Sequence, residues 1–305
     1  MSNPTHHFRR YPNATPFLEK MRTQLESHEV RNGLMLGLAL RVEKNPIYYG
    51  EASPYFATAE NADDVVVAAL ITPPHGVVLS SPREYCHPET VAYAEITPAL
   101  QAIAENLHTE KWAVPTVHGP SVVATRFAEL WCELTDSTYD VDSEQRAFEL
   151  RKVINPRYST GHLRQATAAD YDLAIAWFRA FGQEALPAEE GSDDKHEERL
   201  HKSVKQKLAD EQLFFWEDPE PVCTVGLSRP TTRGISIGPV YTPPEQRGHG
   251  YATSAVAQLS QQMIDAGKEF CTLFTDLANP TSNSIYQKIG YRAVGDFRML
   301  RFSAR

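Results

Sequence analysis

Hydrophobic positions along the chain switch between two periods. Phe17, Leu18, Met21 and Leu25 recur at helical spacing. After Pro46 the runs YFATAE, VVVAALI and VVLSS predict short strands, and the turn clusters Asn61-Ala62-Asp63 and Pro73-Pro74-His75-Gly76 between them predict an antiparallel meander. A helical stretch from about Pro88 to His108 comes next, then the strand-like WAVPTVHG, a helix bearing Val123, Phe127, Leu130, Trp131 and Leu134, and a strand near QRAFELRKV. Asn155-Pro156 and Gly161 punctuate the joint. Beyond it the strand GHLRQA leads to a helix with Tyr171, Ile175 and Phe178 and a charged helix from about Lys195 to Ala209. LFFWE, CTVGLS and ISIGPVYT predict a second meander, then a helix from about Gly250 to Ala266, the strand FCTLF, a short helix from Pro280 to Ile289 and a strand near FRMLRF. Element order therefore repeats between halves whose residues barely match. The pattern predicts an α+β protein of two domains, 1–156 and 157–305, each a mixed, mostly antiparallel twisted sheet flanked by helices.

At 305 residues the chain is about two domains long. Its 42% apolar and 23% charged residues argue against disorder, a fibrous repeat or a disulfide-stapled miniature. The longest apolar runs, Gly33 to Leu40 and Val65 to Ile71, fall far short of the roughly 20 residues that cross a bilayer, so no membrane is expected. The opening MSNPTHHFRRYPN has no apolar stretch behind its charges; a cytoplasmic location is expected, and with it an unglycosylated Asn13 sequon. A net charge of −9 without a basic patch argues against nucleic acid. Cys86, Cys132, Cys223 and Cys271 lie far apart, and the histidines lack the i, i+4 spacing of ligands on one helical face, so no metal is expected.

The chemistry concentrates in residues 235–267, ISIGPVYTPPEQRGHGYATSAVAQLSQQMIDAG. Pro243 and Pro244 halt strand pairing, and Arg247, Gly248, His249 and Gly250 form a turn into a helix whose apolar face is Ala252, Ala255, Val256, Leu259 and Met263. Turn glycines let a ligand approach the backbone, and the first amides of a helix have no internal partner, so the pattern suits an anion, above all a phosphate. No Lys is present for a Walker loop. A dinucleotide fingerprint from Gly248 and Gly250 would put Thr253 at the third small position, outside a βαβ context. A glycine turn that merely starts a helix is the plain alternative.

This segment resembles the GNAT superfamily of acyl-CoA-dependent N-acyltransferases, whose cofactor motif [QR]xxGx[GA] is matched by Arg247, Gly250 and Ala252. A second family motif, an Asn followed seven residues later by Tyr and then KxGF/Y, is matched by Asn279, Tyr286, Lys288, Gly290 and Tyr291. The resemblance covers roughly residues 160–305, and the first half looks like a diverged copy. Where the first half should carry the cradle it reads SSPREYCHPET, without GxG or GxA, so one active site is expected. The resemblance implies acetyl-CoA as co-substrate. Its diphosphate would sit on Arg247, Gly248, His249, Gly250, Tyr251 and Ala252, and its pantetheine arm would pair along Val240, Tyr241 and Thr242. Asn279 is a further implied cofactor contact, although capping of the helix that starts at Pro280 also explains it. Tyr286 resembles the family's general acid for the leaving thiolate.

Ile285 and Ile289 mark the buried face of that helix, and the pattern places the Tyr286 hydroxyl on an exposed flank. Many relatives carry a base Glu where this chain has Phe274. Asp276, which reads more simply as a turn acceptor, and Glu217 and Asp218 are weak substitutes. The acidic run 184–198 could attract a cationic amine or simply face water. The expected function is acetyl transfer from acetyl-CoA to a primary amine by direct attack in a ternary complex. A catalytically silent acyl-CoA-binding sensor or docking module is the alternative; an NAD-dependent oxidoreductase is a remote third.

Overall fold

The computed structural model describes residues 6–61, 64–82, 91–154, 156–185 and 194–305. They divide into two compact units: residues 1–147 with 276–278 and 294–305, and residues 148–275 with 279–293. The division falls inside a strand rather than after 156, and the last strand of the chain belongs with the first unit.

In the first unit, β1 (His6–Tyr11), β2 (Tyr55–Asn61), β3 (Asp64–Ile71) and β4 (Val77–Ser80) run antiparallel in sequence. β5 (Thr116–Pro120) then pairs parallel with β4 and antiparallel with β12 (Arg292–Ala304), next to which lies β6 (Ser137–Leu150). Alternate residues of the sheet face two helical layers. Tyr55, Ala57 and Ala59 pack with α3 (Val91–Thr109) and α4 (Ser121–Thr135), while Phe56 packs with α1 (Ala14–Ser27) and α2 (Glu29–Lys44). Arg146–Asp296 (2.7 Å), Arg298–Glu144 (2.6 Å) and Arg301–Asp142 (3.0 Å) link β6 to β12.

The second unit repeats the order. β7 (His162–Gln165), β8 (Leu213–Glu217), β9 (Pro221–Ser228) and β10 (Gly234–Tyr241) are antiparallel in sequence, and β11 (Phe270–Asp276) joins β10 in parallel. Leu213 and Phe215 face α5 (Tyr171–Ala185) and α6 (Asp194–Ala209), whereas Phe214 and Trp216 face the core formed with α7 (Tyr251–Asp265) and α8 (Pro280–Ile289). Among the described residues no helix is long and apolar enough to cross a membrane.

The hydrophobic pattern missed two elements, β1 and α2. HHFRRY is a charged edge strand without clean alternation. Apolar residues of α2, such as Leu34, Met35, Leu36, Leu38 and Leu40, surround the helix and leave no polar stripe to reveal a period.

Candidate functional site

All the residues singled out from residue 240 onward, except Asp276, lie in the second unit. Their arrangement starts from the short ladder between β10 and β11, which pairs only Gly234–Phe270, Ile235–Cys271 and Ser236–Thr272. Past Ser236, β10 continues to Tyr241 against β9 alone, so among the described residues its other edge has no strand partner there. A shift of register between Ile237 and Val240 inserts one extra residue on β10. This bulge exchanges the faces of Val240 and Tyr241 relative to the start of the strand. Ile235, Ile237 and Val240 face the α7 and α8 core, while Tyr241 turns to the α5 side, its ring 6.3 Å from Trp177.

Below the strand end, Thr242 Oγ1 is buried with no hydrogen-bond partner other than a thiol. Beside it lies the Cys223 thiol, pushed up to about 12 by burial. Tyr286 interacts with the same thiol, and its ring packs against Phe148 at 6.4 Å and Tyr291 at 5.9 Å. The Tyr286 ring is half-buried, lining the margin of this core beside Phe148 and Tyr291. Its hydroxyl bonds to no described residue, and burial, followed by the neighbouring Cys223, raises its pKa above the usual phenol value.

Pro244–Gln246 form a short 3-10 turn, and the chain then reaches α7 through two left-handed glycines, Gly248 at φ 83° and Gly250 at φ 82°. A Cβ built on either would meet nothing within 4 Å, so both face open space. Arg247 N donates to Pro244 O at 3.3 Å and Ser254 N to Gly250 O at 3.0 Å; the amides between, 248–253, bond to no described residue. Gly250 supplies no capping side chain. This run of open N–H groups, at the positive end of a 15-residue helix, has the geometry and polarity that suit an anion.

Around the cradle, His249 stacks on Tyr251 at 5.5 Å, and the Tyr251 hydroxyl donates to Asp218 at 3.0 Å, a bond that raises its pKa. Arg247 Nε donates to Thr242 O at 3.0 Å and Nη2 to Glu184 at 2.6 Å. The Tyr241 hydroxyl donates to the other oxygen of Glu184 at 3.3 Å; burial first, and then this carboxylate, raises the Tyr241 pKa. Ala252 is half-buried on the first turn of α7. Asn279 is exposed immediately before α8.

The weak base candidates are occupied. Asp276 accepts from Ala278 N at 2.7 Å, as a turn residue does. Glu217 pairs with Arg164, and Asp218 accepts from both Thr160 and Tyr251. Phe274 is half-buried with the Arg229 guanidinium 5.9 Å from its ring. Residues 186–193 of the acidic run, and 83–90 where the first half lacks GxG, lie outside the described residues. The acidic run marks Glu184 only as its first residue, since nothing in its spacing ties it to a strand more than 50 residues away.

Residues 223–299 match the family model described as FR47-like protein. A GNAT-family acetyltransferase from Colwellia psychrerythraea covers 98% of this chain and 100% of its own at 13% identity, with a TM-score of 0.54. The chain has the GNAT fold. A GCN5-related N-acetyltransferase from Sphaerobacter thermophilus is similar over 97% of this chain and 95% of its own, at 13% identity and TM-score 0.57. A Drosophila protein is similar over 97% and 98%, at 14% identity and TM-score 0.65. No curated protein matches the chain by sequence. In this GNAT fold the open amides of residues 248–253, the open edge of β10 and the half-buried Tyr286 all fall within the FR47-like match.

Proposed function

We propose that the second unit transfers an acetyl group from acetyl-CoA to a primary amine in a ternary complex, in a tandem arrangement whose first unit has lost the cradle. The observation that carries this reading is the run of unbonded amides at 248–253 beside the open edge of β10. The amides suit a diphosphate, and the edge beyond Ser236 suits an extended amide-bearing arm that pairs as a strand would. The Thr242 hydroxyl, buried with only the Cys223 thiol beside it, and the Tyr286 hydroxyl, which bonds to no described residue, suit the polar end of that arm. Asn279, exposed immediately before α8, is the further contact this reading gives to acetyl-CoA.

In the reaction the amine nitrogen bonds to the acetyl carbon as the carbon–sulfur bond breaks. A β10 amide near Val240 stabilises the developing oxyanion, the nitrogen's proton leaves to water, and Tyr286 returns a proton to the thiolate. A cytoplasmic setting supplies both substrates. Calorimetry with acetyl-CoA, followed by thiol release with a panel of amines, tests the reading. Saturable binding with turnover is expected; binding without turnover of any amine instead identifies a silent acyl-CoA module, which the residue at 274 would favour.

A further inference from the structure

Resting on the acetyl-transfer reading, we propose that the acceptor is an amine with an aromatic or apolar body, which binds along α5 with its ammonium group on Glu184 and gives up one proton to water before the neutral nitrogen attacks. The bulge in β10 turns Tyr241 out of the α7 core and onto the α5 side. There it meets a stripe of α5 in which Trp177, Phe181 and Glu184 stand at i, i+4 and i+7. Trp177 stands 5.4 Å from Phe215 and 6.3 Å from Tyr241, and both it and Phe181 are only half-buried. The stripe is therefore an aromatic strip with open surface, ending in a carboxylate beside the strand that would carry the thioester.

Glu184 is built to receive a cation. One oxygen takes the Tyr241 hydroxyl at 3.3 Å and the other the Arg247 guanidinium at 2.6 Å. A carboxylate has about four acceptor positions, so these two bonds orient it and leave room for an ammonium group. Its side chain is 45% exposed, which keeps that room accessible. Asp218 has a different place, bonded to Tyr251 on the first turn of α7, at the cradle end where an anion is expected. An acceptor carrying its own carboxylate would meet Glu184 with like charge, so free amino acids are disfavoured.

Four probes decide the question: phenethylamine, putrescine, glycine and a lysyl tripeptide, each assayed by thiol release with acetyl-CoA. Phenethylamine is expected to show the highest kcat/KM, by about tenfold or more, since burying its ring is worth that much. Glu184→Gln, at an exposed position that folding tolerates, should raise the KM for phenethylamine about tenfold or more while the KM for acetyl-CoA moves far less. Glu184→Asp should recover part of the loss. Preference for putrescine, glycine or the peptide overturns the proposal and leaves acetyl transfer standing. So does an unchanged amine KM in Glu184→Gln, and so does acetyl-CoA binding without turnover of any probe. Absence of acetyl-CoA binding in calorimetry overturns the functional reading itself.

Discussion

Tyr286 stands edge-on to Tyr291, with ring centroids 5.9 Å apart and planes at 70°. Held this way in the core, its hydroxyl has a raised pKa, which at first makes it a poorer acid. In water a phenol is a weaker acid than a thiol by about 2 kcal/mol, so the transfer is uphill by that much unless the site alters the gap. Tyr286→Phe should therefore lower kcat by no more than the 10² to 10⁴ typical of a general acid, at an unchanged KM for acetyl-CoA. Steady-state rates of thiol release measure this, and an unaltered kcat removes Tyr286 from the proton path.

Gly250 sits at φ 82° with open space where a Cβ would project. Gly250→Ala should cost about 1 kcal/mol of stability from the left-handed backbone alone. Gly250→Glu adds a negative charge to the cradle and should weaken acetyl-CoA at least about tenfold beyond the alanine variant. Calorimetric titration of both variants separates strain from charge; equal affinities would place the diphosphate elsewhere.

Much of this site was legible in the chain because its signals are local. A glycine pair before an amphipathic helix fixes the cradle between Gly248 and Ala252 without reference to anything distant, and α7 and α8 begin and end where their breakers predict. The packing of the Tyr286 ring was not legible, because it depends on Phe148, which lies more than 130 residues earlier in the chain. The bulge between Ile237 and Val240 was equally hidden, since one extra residue in a strand leaves the run ISIGPVYT looking uninterrupted while it decides which helices Tyr241 meets. The same limit explains α2, whose apolar residues surround the helix, and the return of the last strand to the first unit, which no local pattern encodes.

Arg164 and Asp170 give the second unit an acid-sensitive brace. Arg164 Nη1 donates to Asp170 Oδ2 at 2.9 Å, and Thr167 N donates to the same oxygen at 2.7 Å. The guanidinium, ahead of the Thr167 bonds, lowers the Asp170 pKa from 3.8 to about 2. A carboxyl whose folded pKa lies below its unfolded one stabilises the fold above the unfolded value and loses that contribution as pH falls through the folded value. The shift corresponds to about 2 kcal/mol, present above roughly pH 4 and gone near pH 2. Denaturant midpoints of the native protein and Asp170→Asn should therefore differ at pH 6 and converge as pH approaches 2. A difference that stays constant across this range would show that the carboxylate's charge contributes nothing.

Thr242 offers the sharpest separation of stability from binding. Its hydroxyl is buried with only the Cys223 thiol beside it, a weak partner that offsets little of the about 1 kcal/mol or more that its burial costs the folded protein without a ligand. Valine has nearly the same shape and no polar atom to satisfy. Thr242→Val should thus raise the melting temperature of the ligand-free protein by about 2–4 °C. If the hydroxyl is kept for the arm of acetyl-CoA, the same substitution should weaken acetyl-CoA binding about threefold to tenfold, the worth of one neutral hydrogen bond. Differential scanning calorimetry and titration calorimetry on a single preparation read both effects. A stabilised protein with undiminished affinity would assign the hydroxyl to no ligand at all and detach the floor of the β10 opening from the site.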